Sequence, residues 1–220
     1  MIEEKNVIES RFNIVKTWLK NPYNAALVGI IAFAFFLRLY FFIKVSGQPL
    51  WWDEAEYGAT AKHWAFGVPY DMNPQRLPLF QFLGAIMLWF GLGEIALKFV
   101  LTLIPSVFLV FVIYLLSKEM FDKKIGLIAA ILAAVSWTFL FWTPRFQPDF
   151  FSMIFQVLSV LFMWRYWKND KSKDVVLAGV FAALGLHFKI SALLVPVVFL
   201  VFILIKDRLS AFKNRNYYYF

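Results

Sequence analysis

Three carboxylates, Asp53, Glu54 and Glu56, stand within four positions of the chain and are followed at once by Tyr57. Such a group can accept the proton of an attacking hydroxyl or share a divalent cation. A helix starting near Asp53 puts Asp53, Glu56, Tyr57 and Thr60 at i, i+3, i+4 and i+7, on one face. A structural account competes with the chemical one. Acidic residues in a first turn favour the helix dipole, and Trp51 and Trp52 would anchor such a helix at a membrane surface. Asp149 is a second candidate, behind Arg145 and Pro148. An exposed pair between Arg145 and Asp149 would contribute little; the chemical reading is a second carboxylate facing the Asp53 cluster.

The cations suit an anionic partner. Arg76 lies in Asn73-Pro74-Gln75-Arg76-Leu77-Pro78, where two prolines stiffen the chain. Arg76 and Arg145 could grip a phosphate by forked donation, or they could snorkel toward water and headgroups. Lys189 falls between two apolar runs, where a lysine needs water or an anion. Arg38, within the first apolar run, is expected to snorkel or to pair with an acid of the next loop. His63 and His187 have no second histidine at metal spacing and read as packing residues. Gly29, Gly84, Gly126, Gly179 and Gly185 read as close helix contacts. No phosphate-binding glycine loop, dinucleotide fingerprint or nucleophile elbow occurs.

The elements that must position these residues are apolar. Of 220 residues, 61% are hydrophobic and 16% charged, against about 45–50% and about 25% in soluble domains. The mean hydropathy of +0.67 excludes a soluble enzyme and a disordered tail. Apolar runs cover Ala25–Val45, Ile95–Ser117, Ile125–Trp142, Phe150–Trp167, Val175–Phe188 and Ile190–Ile205. The expected fold is all-α, a polytopic membrane helix bundle of about six transmembrane helices. Leu79–Gly91 is apolar too, but its length covers only about 20 Å. It is expected to lie at the interface, within a first outer loop of residues 46–94. A second outer loop spans 143–149, an N-terminal arm 1–22 and a tail 206–220, around a membrane module of 23–205.

Charge fixes the expected orientation. With six crossings and a cytoplasmic N-terminus, the inner segments hold 15 basic and 8 acidic residues, a net +7 out of +8. That is the bias of positive inner loops, so nucleic acid is not the expected partner. The absence of cysteine rules out a disulfide framework and thiolate metal sites. The two acidic loops then open on the same outer face.

The layout resembles the integral-membrane glycosyltransferases of the GT-C fold, especially the protein O-mannosyltransferase and aminoarabinose (lipid A) transferase branch. The matching features are Pro49-Leu50-Trp51-Trp52-Asp53-Glu54-Ala55-Glu56-Tyr57, Arg76-Leu77-Pro78-Leu79, Glu94, Pro105-Ser106, Arg145-Phe146-Gln147-Pro148-Asp149, and the stretch from Gly185 to Lys189. Arg76 stands where many relatives carry lysine and a double proline. Members of that group are usually more than twice this length, so the resemblance covers the N-terminal part of their layout. The 220 residues are expected to be either part of a longer chain or a minimal module.

The resemblance implies transfer of a sugar from a polyprenyl-phosphate carrier to a protein, lipid or glycan acceptor at the outer face of the plasma membrane. It implies Asp53 as general base, within a catalytic set that includes Glu54 and Asp149. Arg76, Arg145, Lys189 and Tyr57 would bind substrate. Asp149 would orient the acceptor, or share a magnesium or manganese ion with Asp53 should the reaction use one. Two other readings are a non-catalytic membrane assembly partner and a transporter or channel module. Transporters tend to place their sites at the bilayer midplane, whereas these acids lie in loops.

Overall fold

The structure is a computed structural model describing residues 13, 16–45, 47–207 and 217. Most of the N-terminal arm and of the tail beyond 206 lies outside the described residues. Among those described, the secondary structure is helical, in the order α1 Pro22–Val45, α2 Trp52–Phe66, α3 Pro78–Trp89, α4 Glu94–Met120, α5 Lys123–Val135, α6 Trp137–Trp142, α7 Asp149–Asn169, α8 Ser172–Phe188 and, after a 3₁₀ turn at Ile190–Leu193, α9 Leu194–Asp207. The chain is an all-α membrane helix bundle. Each of the six apolar runs is helical.

Helices α1, α4 and α7 are long and apolar enough to cross a membrane, by length and composition. The remaining expected crossings are shorter or broken. The third run divides at Ser136 into α5 and α6. Helix α8 has 17 residues, about 26 Å of rise. Helix α3, with 12 residues, is too short to cross; it packs against α2 instead.

Local sequence explains the starts and breaks. Asn21 Oδ1 accepts from the Tyr23 amide at 3.0 Å and Pro22 opens α1. Asp122 caps α5 by accepting from Ile125 N at 2.9 Å. Gly67, at φ 68°, ends α2 in the left-handed conformation that glycine tolerates. Within α4, residues Phe99–Leu103 form a π turn directly before Pro105. Proline removes an amide donor and crowds the preceding turn, and a wider turn accommodates it.

The break at Ser136 corrects the expectation for Arg38. This residue is fully buried, does not snorkel, and meets no acid among the described residues. Its guanidinium donates to the carbonyls of Ala134 at 3.0 Å, Ala133 at 3.1 Å and Ala34 at 3.3 Å. The carbonyls at the end of α5 have no partner within their own helix, and Arg38 supplies one.

Helix α7 is central, packing against α8 on one side and α4 on another, while α5 and α1 complete the bundle. Serine hydroxyls join α7 to α8: Ser159 donates to Ala178 O at 2.7 Å and Ser152 to Gly185 O at 3.1 Å. Three of the glycines sit at close contacts. A Cβ at Gly84 would meet Ala61 and Phe146 at 3.2 Å, one at Gly126 would meet Lys118 at 3.0 Å, and one at Gly185 would meet Phe155 at 3.4 Å. Gly29 faces open space.

Candidate active site at the loop end of the bundle

The site forms where α2, the 143–149 loop and the 3₁₀ turn after α8 come together. Glu54 draws the first two into contact. It is fully buried, and its carboxylate accepts from Trp51 N at 2.8 Å, the reach-back half of a capping box. It also accepts from Phe146 N at 2.5 Å and from Arg145 Nη1 at 3.5 Å. Arg145 is buried as well. Its guanidinium lies 3.7 Å from the centre of the Trp51 ring and donates to Gln48 Oε1 at 3.0 Å. Beneath this pair, Phe146 packs on Phe80 of α3, which packs in turn on Tyr57. Glu54 and Arg145 therefore join the two loops from inside.

The other face of α2 carries the open charges. Arg76 Nη2 contacts Asp53 Oδ1 at 2.5 Å, its Nε contacts Glu56 Oε2 at 2.7 Å, and its Nη1 donates to the Tyr57 hydroxyl at 3.3 Å. The guanidinium also lies over the Tyr57 ring, 5.1 Å from its centre. Trp52 Nε1 and Asn73 Nδ2 add two further donors to Glu56. The Arg76 hydrogen bond holds the Glu56 carboxyl below its ordinary range. Burial works against the charge on Arg76, yet its bonds to Glu56 and Asp53 raise its pKa above the usual arginine value.

Asp149 lies at the first turn of α7. Lys189, in the extended residue after α8, reaches its Oδ1 at 2.6 Å. The other oxygen, Oδ2, is buried without a hydrogen-bond partner. Tyr57 touches Arg76 and is near enough to Asp149 to feel its charge. Its phenol is raised chiefly by burial; Arg76 opposes this, and Asp53 and Asp149 both reinforce it. Carboxylates 96 positions apart in sequence thus act on one hydroxyl.

Asp53, Tyr57, Arg76, Asp149 and Lys189 gather on one side, while Glu54 and Arg145 lie beneath them. Glu56, one of the three clustered carboxylates, was given no role of its own by the resemblance, and the structure makes it the anchor of Arg76 on the face it shares with Asp53 and Tyr57. Gln48, Asn73 and the Phe146 amide carried no sequence signal, since each contributes through position alone. Asp53 and Asp149 each carry a cation of the chain itself. Among the described residues no three His, Cys, Asp or Glu side chains converge. A separate apolar cavity of about 460 Å3 lies behind α2, lined by Ala55, Gly58, Ala59, Leu97 and Phe146, with Lys62 at its edge.

No curated protein and no solved structure matches the chain. The family model described as dolichyl-phosphate-mannose-protein mannosyltransferase matches residues 75–220, which include Arg76, Arg145, Asp149 and Lys189. Matched over that range, the chain belongs to the dolichyl-phosphate-mannose-protein mannosyltransferase family, the membrane-embedded, GT-C type of glycosyltransferase.

Proposed function

We propose that the chain transfers a sugar from a polyprenyl-phosphate-linked donor to an acceptor hydroxyl of a protein, lipid or glycan on the outer face of the plasma membrane. The observation that supports this reading is the pairing of Asp53 with Arg76 and of Asp149 with Lys189 at one end of the bundle, with both carboxylates near enough to the Tyr57 hydroxyl to act on its charge. Asp53 takes the proton from the acceptor hydroxyl as its oxygen attacks the anomeric carbon. The bond from that carbon to the carrier phosphate breaks, and the phosphate leaves with the electron pair. Arg76 and Lys189 offset the charge that grows there.

Arg76 is prepared for this role. Its Nε stays on Glu56 while Nη2 turns from Asp53 to the phosphate, which frees the Asp53 oxygen for the acceptor. Asp149 orients the acceptor through the oxygen that has no partner. Glu54 and Arg145, which the resemblance placed among the catalytic and binding residues, act as positioning residues that hold the loops together.

Replacing Asp53 by Asn removes the base and keeps the shape. Sugar transfer is expected to fall by about 10²–10⁴-fold, with carrier binding unchanged. Full activity in Asp53→Asn would overturn the assignment.

A further inference from the structure

A second site lies at the far end of α7. Trp164 stands 15 residues beyond Asp149, about 22 Å along the helix axis. There a cavity of about 510 Å3 opens between the ends of α4, α7 and α9, its wall formed by Glu119, Phe121, Trp164, Trp167, Lys168 and Lys206. Trp164, Trp167 and Lys168 fall at i, i+3 and i+4 and share one face of α7. Lys206 comes from α9, its ammonium 5.6 Å from the centre of the Trp167 ring. Phe202, one turn earlier on α9, packs on the same ring at 4.2 Å.

Two observations point to a ligand. The indole Nε1 atoms of both Trp164 and Trp167 are buried with no acceptor. Buried donors are nearly always paired, so two orphan indoles on residues that line one cavity are a signal of an acceptor from outside the chain. The charges agree. Glu119, the one carboxylate in the wall, is engaged by Arg165 at 3.7 Å. Lys168 and Lys206 have no carboxylate partner among the described residues. The residues around the cavity therefore carry unpaired N–H donors and positive charge, and their complement is a group that only accepts. Beyond it, the exposed side chains of α9, from Val197 to Ile205, are apolar.

We propose that this cavity binds the phosphate of an anionic phospholipid, whose acyl chains lie along the apolar face of α9. Basic pockets between membrane helices suit such headgroups, and tryptophan at the end of a span suits the same depth. The site is separate from the reaction centre and does not depend on the reading given for it.

The test uses the purified chain in phosphatidylcholine nanodiscs, titrated with phosphatidylglycerol and followed by thermal unfolding and by lipid retention in native mass spectrometry. Phosphatidylglycerol is expected to be retained and to raise the unfolding temperature, with no effect of added phosphatidylcholine or inorganic phosphate. The double variant Lys168→Gln, Lys206→Gln should lose about tenfold or more in phosphatidylglycerol affinity. The double variant Trp164→Phe, Trp167→Phe keeps the rings and deletes the orphan donors. It should unfold at no lower temperature in phosphatidylcholine, yet bind phosphatidylglycerol several-fold more weakly. Equal retention of both lipids, equal stabilisation by inorganic phosphate, or unaltered phosphatidylglycerol affinity in both double variants would overturn the proposal.

Discussion

Arg76 donates from three nitrogens to three side chains of one helix, Asp53, Glu56 and Tyr57. A lysine could not reproduce that fork, because its ammonium is a single point of charge. The Glu56 contact has a pH signature. Its carboxyl is held below the ordinary range chiefly by the Arg76 hydrogen bond, so its stabilising effect is complete above the unfolded value and is lost as pH falls through the lower folded one. The unfolding-temperature gap between the wild type and Glu56→Gln should therefore stay constant down to the ordinary glutamate value of about 4.3 and close only below it. A gap that already closes near neutral pH would contradict the clasp. The same geometry bears on metal use. A cation shared by Asp53 and Asp149 would have to compete with Arg76 and Lys189 for their oxygens. Dialysis against a chelator is expected to leave transfer within about twofold of its starting rate. A loss restored by magnesium or manganese would show instead that the reaction needs a cation.

At the scale of elements, Glu54 is the joint between α2 and the 143–149 loop. It satisfies the amides of Trp51 and Phe146 and faces the enclosed guanidinium of Arg145. Removing one member of a buried pair leaves the other charge uncompensated, at a cost of roughly 3–5 kcal/mol. Glu54→Gln is expected to lower stability by nearly that much, read by thermal unfolding in detergent, and to reduce sugar transfer by misplacing Asp53 and Asp149 together. Undiminished stability would show that the joint is held by the aromatic stack of Phe146, Phe80 and Tyr57 instead. The face of α2 was legible from its spacing: a period of 3.6 groups Asp53, Glu56 and Tyr57 and turns Glu54 away. What Glu54 turns toward was not legible, because its partners are backbone amides, which every residue but proline carries.

At the scale of the molecule, the bundle separates two ends. Arg76, Arg145, Asp149 and Lys189 gather at one, with Glu119, Arg165 and Lys168 at the other. The basic bias of the second end predicts that it faces the cytoplasm. Met72→Cys should react with an impermeant thiol reagent from outside intact cells, and Lys124→Cys only after permeabilisation. The reverse pattern would invert the proposed orientation and remove the outer-face reaction. The alternation of ends was readable in the sequence, since loops between successive crossings must swap sides. The lengths of the crossings were less so. The third run is continuous in composition, yet it breaks at Ser136, where Arg38 arrives from α1 to satisfy the freed carbonyls.

By itself the sequence determined that this chain is a membrane bundle of helices, and which helix face carries the acids. Hydropathy and helical period are properties of neighbouring residues and need no knowledge of distant ones. Only the tertiary structure decided the partners. Lys189 meets Asp149 across 40 positions, Arg145 turns inward to Glu54 across 91, and Arg38 seeks carbonyls where an acid was expected. Any of several cations could have matched any of several carboxylates in charge. Docking of the helices brings particular pairs within reach in a poorly solvated interior, where an unmatched polar group is costly and a matched one holds.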